Sequence, residues 1–320
     1  NPLSLLSVLA HYGMFQYIDD RGNSPERKNW ISQHHVELLQ AIILSHDFDE
    51  YKLEPTFPPE IQEIWNGLLK VSESFHTARL RDLGGDGDEE AKRKRAVQEW
   101  LRIHTQCVRN WGYLEKVVEI MCCLIQPLEE EIRTKLGVSF TLLFDFTIKL
   151  IGDIENRSTN NFLKLRRVFK SKNIEQLVQA YYREFPDMKG DASELISLIS
   201  TREADLKQAK AMLLSHNELS FFDLFVLDID EFIDFLPPGY SSHDLLTSLN
   251  AISLSFGSLK SANKEHVFLD NPCWKRPIIK LDATTFFWPL PMLLFSFCHD
   301  IIENIISSDK ALLNKFFDRR

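Results

Sequence analysis

One stretch of the sequence literally fits a nuclease-type pattern. Pro186-Asp187 is followed by Asp205-Leu206-Lys207. In that chemistry two carboxylates hold a divalent metal that activates water, and a lysine positions the nucleophile or stabilises developing charge. The geometry requires both acids on paired strands. Residues 193–214 instead read as one helix, on which Asp205 and Lys207 point in different directions. A second acidic group is Asp228, Asp230, Glu231 and Asp234. If 224–230 is a strand, Asp228 and Asp230 share a face and can hold magnesium. The competing interpretation is a strand end running into a helix whose first turn is acidic, as the helix dipole favours.

The histidines are scattered. His34 and His35 with Glu37 miss the His-Glu-x-x-His zinc spacing, and neighbours on a helix diverge by about 100°. His104 falls on an apolar seam, where a hydrogen-bonded core histidine is the ordinary outcome. Cys298-His299-Asp300 has the residue types of a thiol nucleophile, but consecutive helical residues do not face one another. The run 82–88, rich in Gly and Asp, lacks the alternating ligands and distal Glu of a calcium loop and reads as a surface loop. No Walker loop, dinucleotide fingerprint, serine elbow or zinc-finger spacing occurs. We therefore assign no catalytic, cofactor-binding or metal residue, and expect no cofactor.

Two basic stretches remain. Lys92-Arg93-Lys94-Arg95 follows Glu89-Glu90, and pairing along the helix largely balances it. Lys164, Arg166, Arg167, Lys170 and Lys172 read as one helix with Leu163, Leu165, Val168 and Phe169 on its apolar side. This is the better nucleic-acid candidate, because clustered cations release counterions from a phosphate backbone.

The elements that must position these residues are mostly helices. Residues 3–18 form a short apolar helix. Ser32 caps a second to about His46, with Val36, Leu38, Leu39, Ile42 and Ile43 apolar. The prolines at 55, 58 and 59 break the chain before a helix over about 60–80. From 89 to 125 the positions Val97, Trp100, His104, Cys107, Trp111, Leu114, Val118 and Met121 alternate three and four apart. That is a heptad seam, so this helix packs lengthwise against a neighbour. Further helices are expected over about 127–136, 139–155, 159–170, 174–184 and 192–215.

Beyond 217 the pattern changes. Residues 219–229 read as a strand, Pro237-Pro238-Gly239 as a turn, and 242–256 as a helix. Residues 277–281, the turn Asp282-Ala283-Thr284 and 285–288 read as a β-hairpin. An apolar helix over 289–307 and a short charged helix follow. The expected fold is therefore mostly α. A helical array spans 1–215 and a smaller α+β portion with a hairpin, 216–320, packs on it.

Composition agrees with that class. The chain has 320 residues, 44% of them apolar and 26% charged, which is ordinary globular composition. Its 12 Gly and 13 Pro are few for a turn-rich all-β protein, and 23 Phe imply an aromatic core. A net charge of −9 gives no global attraction to nucleic acid or anionic membrane, so any such contact must be local. Five Cys without a Cys-x-x-Cys pair fit reduced, buried thiols in the cytoplasm. No apolar run is long enough for a membrane span. The sequence opens on Asn1 rather than Met, which suggests a piece of a longer chain.

Three stretches carry a resemblance: His35-Val36-Glu37-Leu38-Leu39-Gln40-Ala41, then Asn271-Pro272-Cys273-Trp274-Lys275-Arg276-Pro277-Ile278-Ile279-Lys280-Leu281, then Phe286-Phe287-Trp288-Pro289-Leu290-Pro291. They resemble uncharacterised bacterial proteins in which a long helical N-terminal region precedes a restriction-endonuclease-like domain. The resemblance implies an intracellular bacterial origin and work on nucleic acid, in a defence role. It also implies that the catalytic acids lie beyond Arg320. The expected function is a non-catalytic scaffold or regulatory region that self-associates or engages nucleic acid for an effector domain. Two alternatives stand beside it: a metal-dependent nuclease using Asp228 and Asp230 or Asp187, Asp205 and Lys207, and a pure protein-interaction module.

Overall fold

The computed structural model describes residues 1–19, 33–50, 66–74, 77, 88–107, 114–188, 191–201, 204–262 and 270–318, with the side chains of 15–19, 50, 99–107 and 114 left aside. Helices dominate. They are α1 (Pro2–Asp19), α2 (Gln33–Leu44), α3 (Glu89–Cys107), α4 (Leu114–Ile125), α5 (Glu129–Leu136), α6 (Phe140–Val168), α7 (Ile174–Glu184), α8 (Ala192–Thr201) and α9 (Leu206–Asn217). The later part carries β1 (Val226–Asp228), α10 (Ser242–Ala251), β2 (Ser253–Ser255), α11 (Pro272–Lys275), β3 (Ile278–Lys280) and β4 (Thr285–Phe287). It closes with α12 (Leu293–Ser296), α13 (Cys298–Ile306) and α14 (Lys310–Phe317). The fold is mostly α with a small α+β portion, as composition and periodicity suggest. No helix among the described residues is long and apolar enough to cross a membrane.

The strands form one mixed sheet in the order β1-β4-β3-β2. β1 and β3 flank β4 antiparallel, and β2 lies parallel to β3, with Ser253 opposite Ile278. The hairpin β3–β4 has the turn read from Asp282-Ala283-Thr284. Its tightness comes from Asp282, whose carboxyl accepts from the amides of Thr284 and Thr285 at 2.9 and 2.8 Å. Adjacent strand residues point to opposite faces. Ile278 and Ile279 are both fully buried, as are Phe286 and Phe287, so the sheet is covered on both sides.

Two hydrophobic cores result among the described residues. The larger joins α1, α2, the first half of α6, the sheet and α13. The smaller is built from Leu165 and Val168 at the end of α6, Leu177, Val178 and Tyr181 of α7, Ile199 of α8, and Ala209 and Leu213 of α9. α6 is shared: Ile154 belongs to the first core and Leu165 to the second. Its start is fixed by Ser139, whose hydroxyl accepts from the amide of Leu142 at 3.1 Å. The preceding helix ends at Gly137, which adopts φ +70 and so supplies the left-handed residue of the connection.

Several expectations are corrected here. Residues 139–155 and 159–170 are not two helices but the single α6, because the polar run 156–161 holds no proline or glycine to stop it. Conversely, 192–215 is two helices. Asp205 starts the second with a capping box, its carboxyl accepting from Gln208 N at 2.7 Å while Gln208 Oε1 accepts from Asp205 N at 2.9 Å. Residues 219–229 are strand only from Val226, since Glu218–Leu224 winds as a 3-10 helix. The 242–256 helix stops at Ala251 and yields to β2. The 289–307 helix is α12 and α13, broken where Phe297 takes φ −122 and ψ 27. The 89–125 seam spans α3 and α4. Its positions Trp100, His104, Cys107, Trp111 and Leu114 lie outside the described side chains, Val97 is 54% exposed and Met121 is buried. Ser32, the prolines 55–59 and 82–87 also lie outside the described residues.

Candidate functional site

The basic stretch lies where α6 leaves the smaller core. Lys164, Arg166 and Arg167 are on the helix, but Lys170 and Lys172 are not, which corrects the single-helix assignment. α6 ends at Val168 because Asn173 starts the next helix, accepting from Gln176 N at 2.9 Å. Lys170 stays wound onto α6, its amide donating to Arg167 O at 3.3 Å. The side that carries Leu165 and Val168 is buried, whereas Leu163 is exposed and Phe169 half-buried. Cations suit this helix end, because the last carbonyls carry partial negative charge. Lys210 exploits it directly, donating to Phe169 O at 2.7 Å.

The five cations are not equivalent. Arg167 grips Glu184 with both Nε and Nη2, the shortest contact being 2.6 Å, and this holds the Glu184 carboxyl below its ordinary range. Lys164 lies over the Phe185 ring, 5.4 Å from its centroid. Arg166, Lys170 and Lys172 are exposed and make no ion pair among the described residues. These three are the cations available to an external anion. In the other basic run Lys92 pairs with Glu89 at 3.3 Å and Arg95 donates to Ala91 O at 3.4 Å, while Arg93 and Lys94 are exposed.

Two of the acidic candidates, Asp205 and Asp228, serve as caps. Asp205 is committed to the start of α9, and Lys207 is exposed. Asp187 is exposed in the turn after α7. Asp228 and Asp230 do not share a strand face, because β1 ends at Asp228. The Asp228 carboxyl instead accepts from Asp230 N at 3.0 Å and starts a 3-10 helix. Among the described residues no three His, Cys, Asp or Glu gather as metal ligands. Asp205→Ala should therefore cost about 1 kcal/mol of stability through the lost cap. Magnesium or manganese should leave the melting temperature of the parent protein unchanged. Calorimetry with and without the cation checks both.

His34 and His35 do meet, contrary to their expected divergence, with ring centroids 3.9 Å apart. Cys298 is buried, which pushes its thiol up, and His299 packs beside Phe316 at 5.0 Å. Asp300 is exposed. These three do not form a nucleophile and its base.

No sequence pattern points to a polar seam between the two cores. His11 Nε2 and Ser158 Oγ lie 2.6 Å apart, and His11 stacks on Phe221 at 3.8 Å. Tyr12 donates to Glu218 Oε1, and Tyr181 Oη meets His216 Nδ1 at 3.0 Å. Burial raises Tyr12, Tyr181 and Glu218 above their ordinary values and pushes His11 down to about 4. Ser158 and His11 have the types of a nucleophile and base. But Ser158 is 6% exposed in mid-helix, where the surrounding amides already serve the helix ladder and cannot form an oxyanion hole. The pair ties α1 to α6.

The resemblance stretches also come together. Glu37, 1% exposed, accepts from Trp274 Nε1 at 2.6 Å and from Gln33 Nε2 at 2.6 Å. Asn271 Nδ2 donates to Glu37 O at 3.3 Å, and Gln40 Nε2 to Pro277 O at 2.9 Å. These residues clasp α2 to α11. No protein family, curated protein or solved structure matches the chain.

Proposed function

We propose that the chain is a non-catalytic scaffold or regulatory region of a larger bacterial protein, and that it engages nucleic acid through the end of α6 to position an effector domain. One observation carries this: Arg166, Lys170 and Lys172 stand exposed at one helix end with no ion pair among the described residues. On a chain of net charge −9, cations left uncompensated at one spot are the feature a phosphate backbone would select. The proposal extends to work inside the cell, where free thiols such as Cys122 and Cys273 stay reduced, and to a part in defence. Self-association belongs to the same reading and is supported by the exposed heptad residue Val97.

The metal-dependent nuclease alternative has little support from acids engaged as caps. The pure interaction module would need a broad exposed apolar patch and no cationic end.

Fluorescence anisotropy with labelled oligonucleotides at low salt tests the proposal. The Arg166→Glu/Lys170→Glu double variant should weaken binding about tenfold or more. Its salt dependence should flatten by roughly 0.7 to 0.9 in log–log slope for each phosphate that the variant no longer neutralises. A parent protein that binds no oligonucleotide at low salt overturns the nucleic-acid reading.

A further inference from the structure

Phe162 has the most exposed large apolar side chain among the described residues, at 58%. Single exposed apolar residues are common and need no function. The neighbours of this one are what matter. Phe162 and Arg166 are one helical step of four apart, and Lys170 follows by another four in the closing turn. At about 100° per residue Phe162 and Arg166 lie on one stripe of α6, with Leu163 and Arg167 along its flank, and Lys170 follows in the turn just past the helix end. The side chain is 58% exposed and makes no ring contact among the described residues. The opposite side of the helix is anchored by Leu165 and Val168 in the smaller core. The stripe is therefore presented on a rigid support.

We propose that this stripe is a stacking platform for single-stranded nucleic acid. The inference rests on the nucleic-acid reading above and names its substrate class. A base lies on the Phe162 ring, while Arg166, about 6 Å further along the helix, and Lys170 in the turn beyond its end take neighbouring phosphates. Duplex bases are stacked on each other and offer a side chain no open π-face, whereas every base of a single strand does. Such stacking tolerates any sequence, and the stripe carries no row of amide side chains to read base edges. An anionic membrane is the less favoured occupant. Interfacial helices present a wide apolar face, and here Leu163 is the one further exposed apolar residue beside Phe162 in this part of the helix.

The test uses the full chain, a labelled oligothymidine of about 20 nucleotides and a duplex of the same length. The parent should prefer the single strand. Phe162→Ala and Phe162→Leu should each weaken single-strand binding roughly 5- to 100-fold, with duplex binding unchanged and Phe162→Trp retaining affinity. Because the ring is exposed, the variants should melt at the parent temperature, which separates a binding defect from a folding defect. If Phe162→Leu binds like the parent, or duplex is preferred, the stacking inference fails and the cationic reading survives. If neither form binds at low salt, both fail. If phosphatidylserine vesicles bind, Phe162→Ala abolishes that, and oligonucleotides do not bind, the face belongs to a membrane and the inference is overturned.

Discussion

Trp274→Ala is expected to lower the unfolding free energy by about 3–5 kcal/mol, a large part of the stability of an ordinary domain. Two losses combine. The indole is buried and stacks on Phe297 with centroids 4.8 Å apart and planes 8° from parallel, so truncation opens a cavity in the larger core. Its N–H also donates to one oxygen of the buried Glu37 carboxyl, and truncation removes that hydrogen bond. Trp274→Phe separates the two effects. It keeps most of the ring and should cost about 1–3 kcal/mol for the hydrogen bond lost to Glu37. Adding both Glu37→Leu and Gln33→Leu to Trp274→Phe should recover part of that cost, because the donors seen on the carboxylate and the carboxylate itself are then gone. Urea denaturation measures Trp274→Ala, Trp274→Phe and the combined variant. A loss under about 1 kcal/mol for Trp274→Ala would mean that this clasp does not hold α2 to α11.

Acidification should destabilise the protein through His11. The imidazole lies in the seam with Ser158 beside it, Phe221 stacked on it, and Tyr12 and Glu218 next along the seam. Burial disfavours its charged form, so its folded-state pKa is about 4 against 6.5 when exposed. Between those values the unfolded chain binds more protons than the folded one. The contribution is therefore complete above pH 6.5 and is lost as pH falls through 4. The shift corresponds to about 3 kcal/mol. Glu218 and Glu129 act with the opposite sign. Burial raises their folded-state pKa, so their contribution is present at low pH and declines as pH rises through the raised value. Comparison of the parent with His11→Gln removes this background. The difference in unfolding free energy should change across pH 4–6.5 and stay flat above about 7. A difference that is flat throughout would show that His11 does not titrate with folding.

Much of the architecture is legible in the order of residues alone. Residues 174–184 declare a helix between Asn173, a good cap, and Pro186, and the structure has those limits. The hairpin is readable because Asp282 supplies turn chemistry between two β-branched or aromatic runs. What escapes has physical reasons. β1 and β2 are three residues each, too short for alternation to register, and they exist because β3 and β4 are there to pair with them. The break before α9 is written in Asp205 and Gln208, which stand at capping-box spacing. The helical periodicity on both sides hides it. Of the candidate site, the cations are visible by composition. Which of them are already engaged is not, because Glu184 lies a helix away from Arg167 in sequence. The polar seam is wholly invisible. His11, Ser158 and Glu218 are far apart along the chain, and only packing brings them together.

The length of α6 has a mechanical consequence. Twenty-nine residues at 1.5 Å each make a rod of about 43 Å, with one end seated in the larger core and the other in the smaller core beside the exposed cations. No proline interrupts it. Such a rod is a strut seated at both ends. Phe144 and Phe146 pack on Phe295 and Phe232 near its start, and Leu165 and Val168 fix its far end in the smaller core. The two cores are thus held at a set spacing by one uninterrupted helix.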